Sequence, residues 1–172
     1  MGRARAAAGS IAFLVVAPGV AAGLVPWLLT GWSADGWWPP VRVLGGLLIV
    51  AGLAFLLEAF ARFVVEGIGT PAPVAPPERL VVGGAYRYVR NPMYLAVAAV
   101  IVGQALLLGQ LGLLLYPAGF WLIAAAFVRW YEEPTLTRRF GADYEAYRRA
   151  VPDWWPRLRP WRPGERDEGG SR

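Results

Sequence analysis

Apolar residues run almost unbroken from Ser10 to Thr30. That length suits a bilayer crossing, which takes about 20 helical residues. Pro18 and Pro26 lie inside the run and should kink it, which membrane helices tolerate. A short turn follows at 31–40, GWSADGWWPP, whose tryptophans suit a membrane–water boundary. A second apolar run spans Val41 to Phe63, a third and shorter one Met93 to Gly109, and a fourth Leu111 to Val128. Only Gly109-Gln110-Leu111-Gly112 separates the last two, so they should form an antiparallel helical hairpin. Gln104 is the strongly polar side chain within that hairpin, and its expected role is a hydrogen bond between helices.

The polar stretches have their own pattern. Glu66 to Pro92 reads as a loop, because the prolines of Thr70 to Pro77 (TPAPVAPP) remove donors and restrict their neighbours. After Val128 the chain becomes charged. Leu136, Phe140, Tyr144, Tyr147 and Val151 nevertheless recur at steps of four, four, three and four, the stripe of one helix over Glu132 to Ala150. Such a helix should lie at the surface and dock on the membrane part. Trp154, Trp155 and Trp161 suit anchorage at lipid headgroups, and disorder is expected from Gly164 onward. The prediction is an all-α integral membrane protein with about four transmembrane helices, the last two a hairpin, plus a C-terminal amphipathic cytoplasmic helix. One membrane domain covers 1–163 and a disordered tail 164–172.

Composition sharpens this reading. Of 172 residues, 56% are hydrophobic, and the mean hydropathy is +0.41. There is no cysteine and no histidine. Disulfides, thiolate or imidazole metal sites, cysteine nucleophiles and a Ser-His-Asp triad are therefore excluded. Lysine is absent too, so Schiff-base chemistry is lost; all 17 basic residues are arginine. The net charge of +5 fits orientation and contact with membrane lipids, and no nucleic-acid partner and no metal are expected. Only Arg42 lies near the loops at 31–40 and 109–112, so both termini are expected on the cytoplasmic side of the inner membrane. Arg3 and Arg5 before the first run imitate a signal peptide, but the run continues well past Val20-Ala21-Ala22, which favours a retained span. Glu58 and Arg62 share a helical face, as a self-neutralising pair or as the polar wall of a cavity.

This topology brings two polar clusters to one face of the membrane. One is Gly84 to Tyr94, GAYRYVRNPMY; the other is Arg129-Trp130-Tyr131-Glu132-Glu133 with the helix after it. The elements Leu80-Val81, Gly84, Tyr86, Val89-Arg90-Asn91-Pro92 and Tyr94 precede the hairpin. Glu132-Glu133, Leu136, Phe140-Gly141, Tyr144, Tyr147 and Val151-Pro152 follow it. In this ordered pair of motifs, over about residues 78 to 155, the chain resembles integral-membrane methyltransferases related to isoprenylcysteine carboxyl methyltransferase and to phospholipid methyltransferases. The resemblance implies S-adenosyl-L-methionine as methyl donor, held between the loop before the third span and the helix after the fourth. It also implies a lipid, isoprenoid or other apolar acceptor entering from the bilayer, with carboxyl O-methylation or lipid N- or O-methylation as the reaction.

The physical chemistry of the residues is compatible. A sulfonium methyl is already activated, so transfer needs alignment and exclusion of water more than acid–base groups. Glu132 or Glu133 could bind the ammonium or ribose of the donor. Arg87 or Arg90 could bind its carboxylate, Tyr86 or Tyr94 could stack on adenine or face the sulfonium, and backbone groups of Val82 to Gly84 could read the adenine edge. Asn91-Pro92 also suits a helix N-terminus, with asparagine as cap. Candidate catalytic residues are Glu133 and Arg149. Ala150 stands where many members of the resembled family carry an arginine placed for a substrate carboxylate, and the adjacent Arg149 is turned by about 100° on a helix. Ala96 replaces a common glycine. Two other readings are open: an NADPH-dependent membrane reductase of the steroid-reductase type, and a non-catalytic membrane partner protein.

Overall fold

The computed structural model describes residues 3–36, 38–67 and 78–162. The proline-rich stretch 70–77 and the tail 164–172 lie outside them. All regular structure among the described residues is helical: α1 (Arg3–Gly19), α2 (Val25–Thr30), α3 (Pro39–Arg62), α4 (Pro92–Leu108), α5 (Leu115–Phe127), α6 (Glu133–Phe140) and α7 (Ala142–Ala150). Three helices are long and apolar enough to cross a membrane, Ala7–Thr30, Pro39–Glu66 and Leu111–Phe140, and Pro92–Leu108 is a shorter apolar helix.

A π-turn, Val20–Leu24, joins α1 to α2. Wide turns of this kind free carbonyls from the helical ladder. Here Tyr116 Oη donates to Ala21 O at 2.9 Å and Gln104 Nε2 donates to Ala22 O at 2.6 Å. Gln104 Oε1 also accepts from Trp32 Nε1 at 3.2 Å. Gln104 thus ties three separate parts of the chain together.

Helices α3 and α4 pack most closely, and glycine is the reason. A Cβ at Gly45 would come within 2.5 Å of Leu107 N, and one at Gly103 within 2.7 Å of Gly45 O. With no side chain at these positions the two backbones approach directly, which is how helices associate without a hydrophobic driving force between them. Leu56, Phe60, Val97 and Ile101 fill the core beside them.

Two boundaries differ from the sequence pattern. The helix does not stop at Val128: it continues through a π-turn, Val128–Glu132, into α6. Glu132 and Glu133 are therefore mid-helix residues, not first-turn acids of a separate helix. The expected single helix over 132–150 is instead two, broken at Gly141, whose φ of 52° and ψ of −125° are open to glycine. Tyr144, Tyr147 and Val151 still form one buried cluster, against which Leu136 and Phe140 pack. Trp161 completes that cluster and is buried there against protein side chains, whereas Trp155 is 82% exposed.

Candidate functional site

The segment before α4 is anchored at several points. Gly84–Arg87 forms a tight 3₁₀ turn, entered through Gly84 at φ 54°. Residues 152–161 then run beside it. Arg90 N–H donates to Pro152 O, Arg157 N–H to Tyr88 O and Trp161 N–H to Arg87 O, each at 2.9 Å. Arg87 Nε donates to Trp161 O at 2.8 Å, and Asn91 Nδ2 to Asp153 O at 3.2 Å. Asn91 does stand at the N-terminus of α4, but its side chain makes no capping bond; Pro92 supplies the first position.

A cavity of about 350 Å³ opens against this segment. Its long walls are apolar: Phe13 and Ala17 of α1, Phe60 of α3, Val97 of α4, and Phe120 and Phe127 of α5. One end is polar, with Tyr86, Arg90, Asn91, Tyr94, Glu132 and Tyr144. Burial, with the Glu132 carboxylate adding to it, pushes the Tyr86 phenol well above its ordinary pKa, so that ring stays neutral. Burial does the same for Tyr147, whose hydroxyl donates to Tyr86 O at 2.7 Å.

The neighbouring acids have opposite environments. Glu133 is buried and faces three arginines: Arg90 Nη1 at 2.7 Å, Arg129 Nη1 at 3.4 Å and Arg148 Nη2 at 3.5 Å. It does not line the large cavity but a smaller polar cleft of about 170 Å³ on the far side of Arg90. Glu132 does line the large cavity, and its carboxylate accepts from the Tyr94 hydroxyl at 3.2 Å; among the described residues no arginine forms an ion pair with it. One carboxylate is already neutralised. The other is a carboxyl group in a largely apolar space, where a cationic ligand would supply the partner it lacks.

The sequence-derived candidates are thus divided. Tyr86, Arg90, Asn91, Tyr94 and Glu132 meet at the cavity. Glu133, Arg87, Val82 and Gly84 stand behind its wall, Arg87 engaged with Trp161 and Val82 packed on the Tyr144 cluster. Arg149 is exposed and borders neither cavity. Glu58 and Arg62 form their ion pair at 2.7 Å and also lie outside the cavity lining. Sequence reasoning missed Trp161, Asp153 and the wall residues Phe13, Phe60 and Phe63. The first two act across more than 60 residues of chain, and the phenylalanines are indistinguishable from lipid-facing ones in an apolar run.

No curated protein and no solved structure matches the chain. The family model described as phospholipid methyltransferase matches residues 41–143, a stretch that contains α3, the 3₁₀ turn, α4, α5, both glutamates and most of the cavity wall. That is more than half of the 172 residues, and the chain belongs to the phospholipid methyltransferase family.

Proposed function

We propose that this protein transfers a methyl group from S-adenosyl-L-methionine to a lipid acceptor, with the donor at the polar end of the large cavity and the acceptor along its apolar walls. The observation that carries this reading is Glu132, a carboxyl group with no arginine ion pair among the described residues, at the polar end of a largely apolar space. The residues fit the donor. Glu132 and Tyr94 would hold its cationic amino-acid end, and Tyr86, Tyr144 and Asn91 offer rings and an amide beside it. Bound there, the donor supplies a methyl that is already electrophilic. The chain's own contribution is alignment of the acceptor and exclusion of water by the aromatic walls. A nicotinamide dinucleotide phosphate would call for arginines free to meet phosphates. Arg87 and Arg90 are instead engaged with Trp161 O and Glu133, so the arrangement favours the methyl donor.

The chain crosses the membrane four times in this account, Pro92–Leu108 being the short crossing, with both termini and the polar end of the cavity in the cytoplasm. The distribution of the arginines supports that orientation. The test is transfer of tritiated methyl from the donor to total membrane lipids in proteoliposomes. Label should enter the organic phase and should vanish when the lipid is replaced by non-lipid detergent. Label confined to water-soluble products would overturn the lipid acceptor.

A further inference from the structure

At the end of α3, Glu58, Arg62 and Glu66 stand one turn apart, the last of them in the π-turn Phe63–Gly67. Arg62 bridges the two acids, Nε to Glu58 Oε1 at 2.7 Å and Nη1 to Glu66 Oε1 at 2.8 Å. Each carboxylate keeps its second oxygen for the backbone of the motif segment. Glu66 Oε2 accepts from Gly83 N–H at 2.9 Å, and Glu58 Oε2 accepts from Ala85 N–H at 3.3 Å. Ion pairs as exposed as these contribute little to folding by themselves. Their consequence lies in what the second oxygens hold.

The two glycines read differently in this light. A Cβ at Gly83 would overlap the Glu66 carboxylate, and one at Gly84 would overlap that of Glu58. Gly84 has φ 54° and is needed for its conformation, but Gly83, at φ −84° and ψ 171°, has a backbone open to any residue. Glycine at 83 therefore serves the close approach of the acid. Immediately downstream, Tyr86 closes the turn with its N–H on Gly83 O at 3.1 Å. Its ring meets Phe63, from the same helix end, edge-on at 5.8 Å, and it lines the cavity.

We propose that Glu58 and Glu66 are positioning residues: they clamp Gly83 and Ala85 and so fix Tyr86 in the wall of the donor site. The clamp acts through Tyr86, since neither acid borders the cavity. This rests on the reading of that cavity as the methyl-donor site.

Gly83→Ala is the sharpest probe, because it displaces the Glu66 side chain without altering any charge. Gly83→Ala and Glu66→Ala should each weaken S-adenosylhomocysteine binding about 3- to 10-fold, the scale of one hydrogen bond. The double variant should be no weaker than the worse single one, because both break the same contact. KM for the donor should rise while KM for the lipid does not, and Glu66→Gln, which keeps an acceptor oxygen, should recover part of the loss. Exchange of the backbone amide at position 83 should quicken in both single variants. Wild-type affinity in both, or losses that multiply in the double variant, would overturn the clamp. Absence of binding by the wild type would instead overturn the donor site itself, and the clamp's role in it.

Discussion

Replacing Arg90 by leucine lowers stability by about 3–5 kcal/mol, the cost of leaving its buried partner Glu133 without its closest arginine. The side chains of Arg90 and Glu133 are only 10% and 8% exposed, and they meet at 2.7 Å. Arg90 also donates to Tyr144 Oη at 3.3 Å, and its Nη2 lies 3.8 Å from Asp153. Removing it leaves a buried carboxylate with two weaker, more exposed partners and removes one of the links between α7 and the segment before α4. Arg148→Ala is the control. It touches the same carboxylate, but at 3.5 Å and from a side chain 42% exposed, so its loss should cost less than about 1 kcal/mol. Replacing Arg90 and Glu133 together by leucine and methionine should recover part of the loss, because no buried charge is then left unpaired. Unfolding in detergent, followed by the loss of helical circular dichroism, measures all three. Equal losses for Arg90→Leu and Arg148→Ala would contradict this assignment of the central ion pair.

Glu132→Gln has the opposite profile: stability is retained and the ligand is lost. Glutamine fills the same volume and can still accept the Tyr94 hydrogen bond, so the helix and the cavity wall stay in place. What disappears is the ionisable group proposed to pair with the donor's cationic end. A hydrogen bond to a charged group contributes about 1.5–3 kcal/mol, so affinity for S-adenosylhomocysteine should fall about 10- to 150-fold. The fall in kcat/KM should be at least as large, because a misplaced donor also loses alignment. Glu133→Gln should behave in the reverse sense, with a lower melting temperature and a smaller change in affinity among molecules that remain folded. Isothermal titration and thermal melts on the two variants separate the roles of these adjacent acids.

The contrast between Glu132 and Glu133 marks where the sequence stops being informative. Both acids are visible in it, and so is their meeting with the Arg90–Tyr94 segment across a hairpin. Which acid faces the cavity depends on helical phase, and the π-turn Val128–Glu132 shifts that phase just before the pair. The apolar runs were legible because bilayer-length periods leave little choice of structure; their ends were not. Charge after Val128 suggested a boundary, yet the helix continues, since arginine and glutamate are good helix formers and the π-turn needs no special residue. The break at Gly141 was hidden in a stripe that keeps its spacing across it. Trp161 looked like a headgroup anchor among prolines and arginines. Its burial depends on Tyr147, whose ring lies 5.4 Å away, and on Arg87, 74 residues earlier, neither of which any local pattern reveals. The Glu58–Arg62 spacing was plain, but the backbone amides that donate to the acids, Gly83 to Glu66 and Ala85 to Glu58, lie 17 and 27 residues further along the chain.

The proposed function rests on one chemical claim, that the space beside Glu132 holds the methyl donor. Calorimetric titration of the detergent-purified protein with S-adenosylhomocysteine, with NADPH as comparator, tests it directly. The account predicts saturable binding of the nucleoside in the micromolar range at one site per chain, abolished or strongly weakened in Glu132→Gln, and no binding of NADPH. Binding of NADPH alone, or nucleoside binding that is indifferent to Glu132, would contradict it.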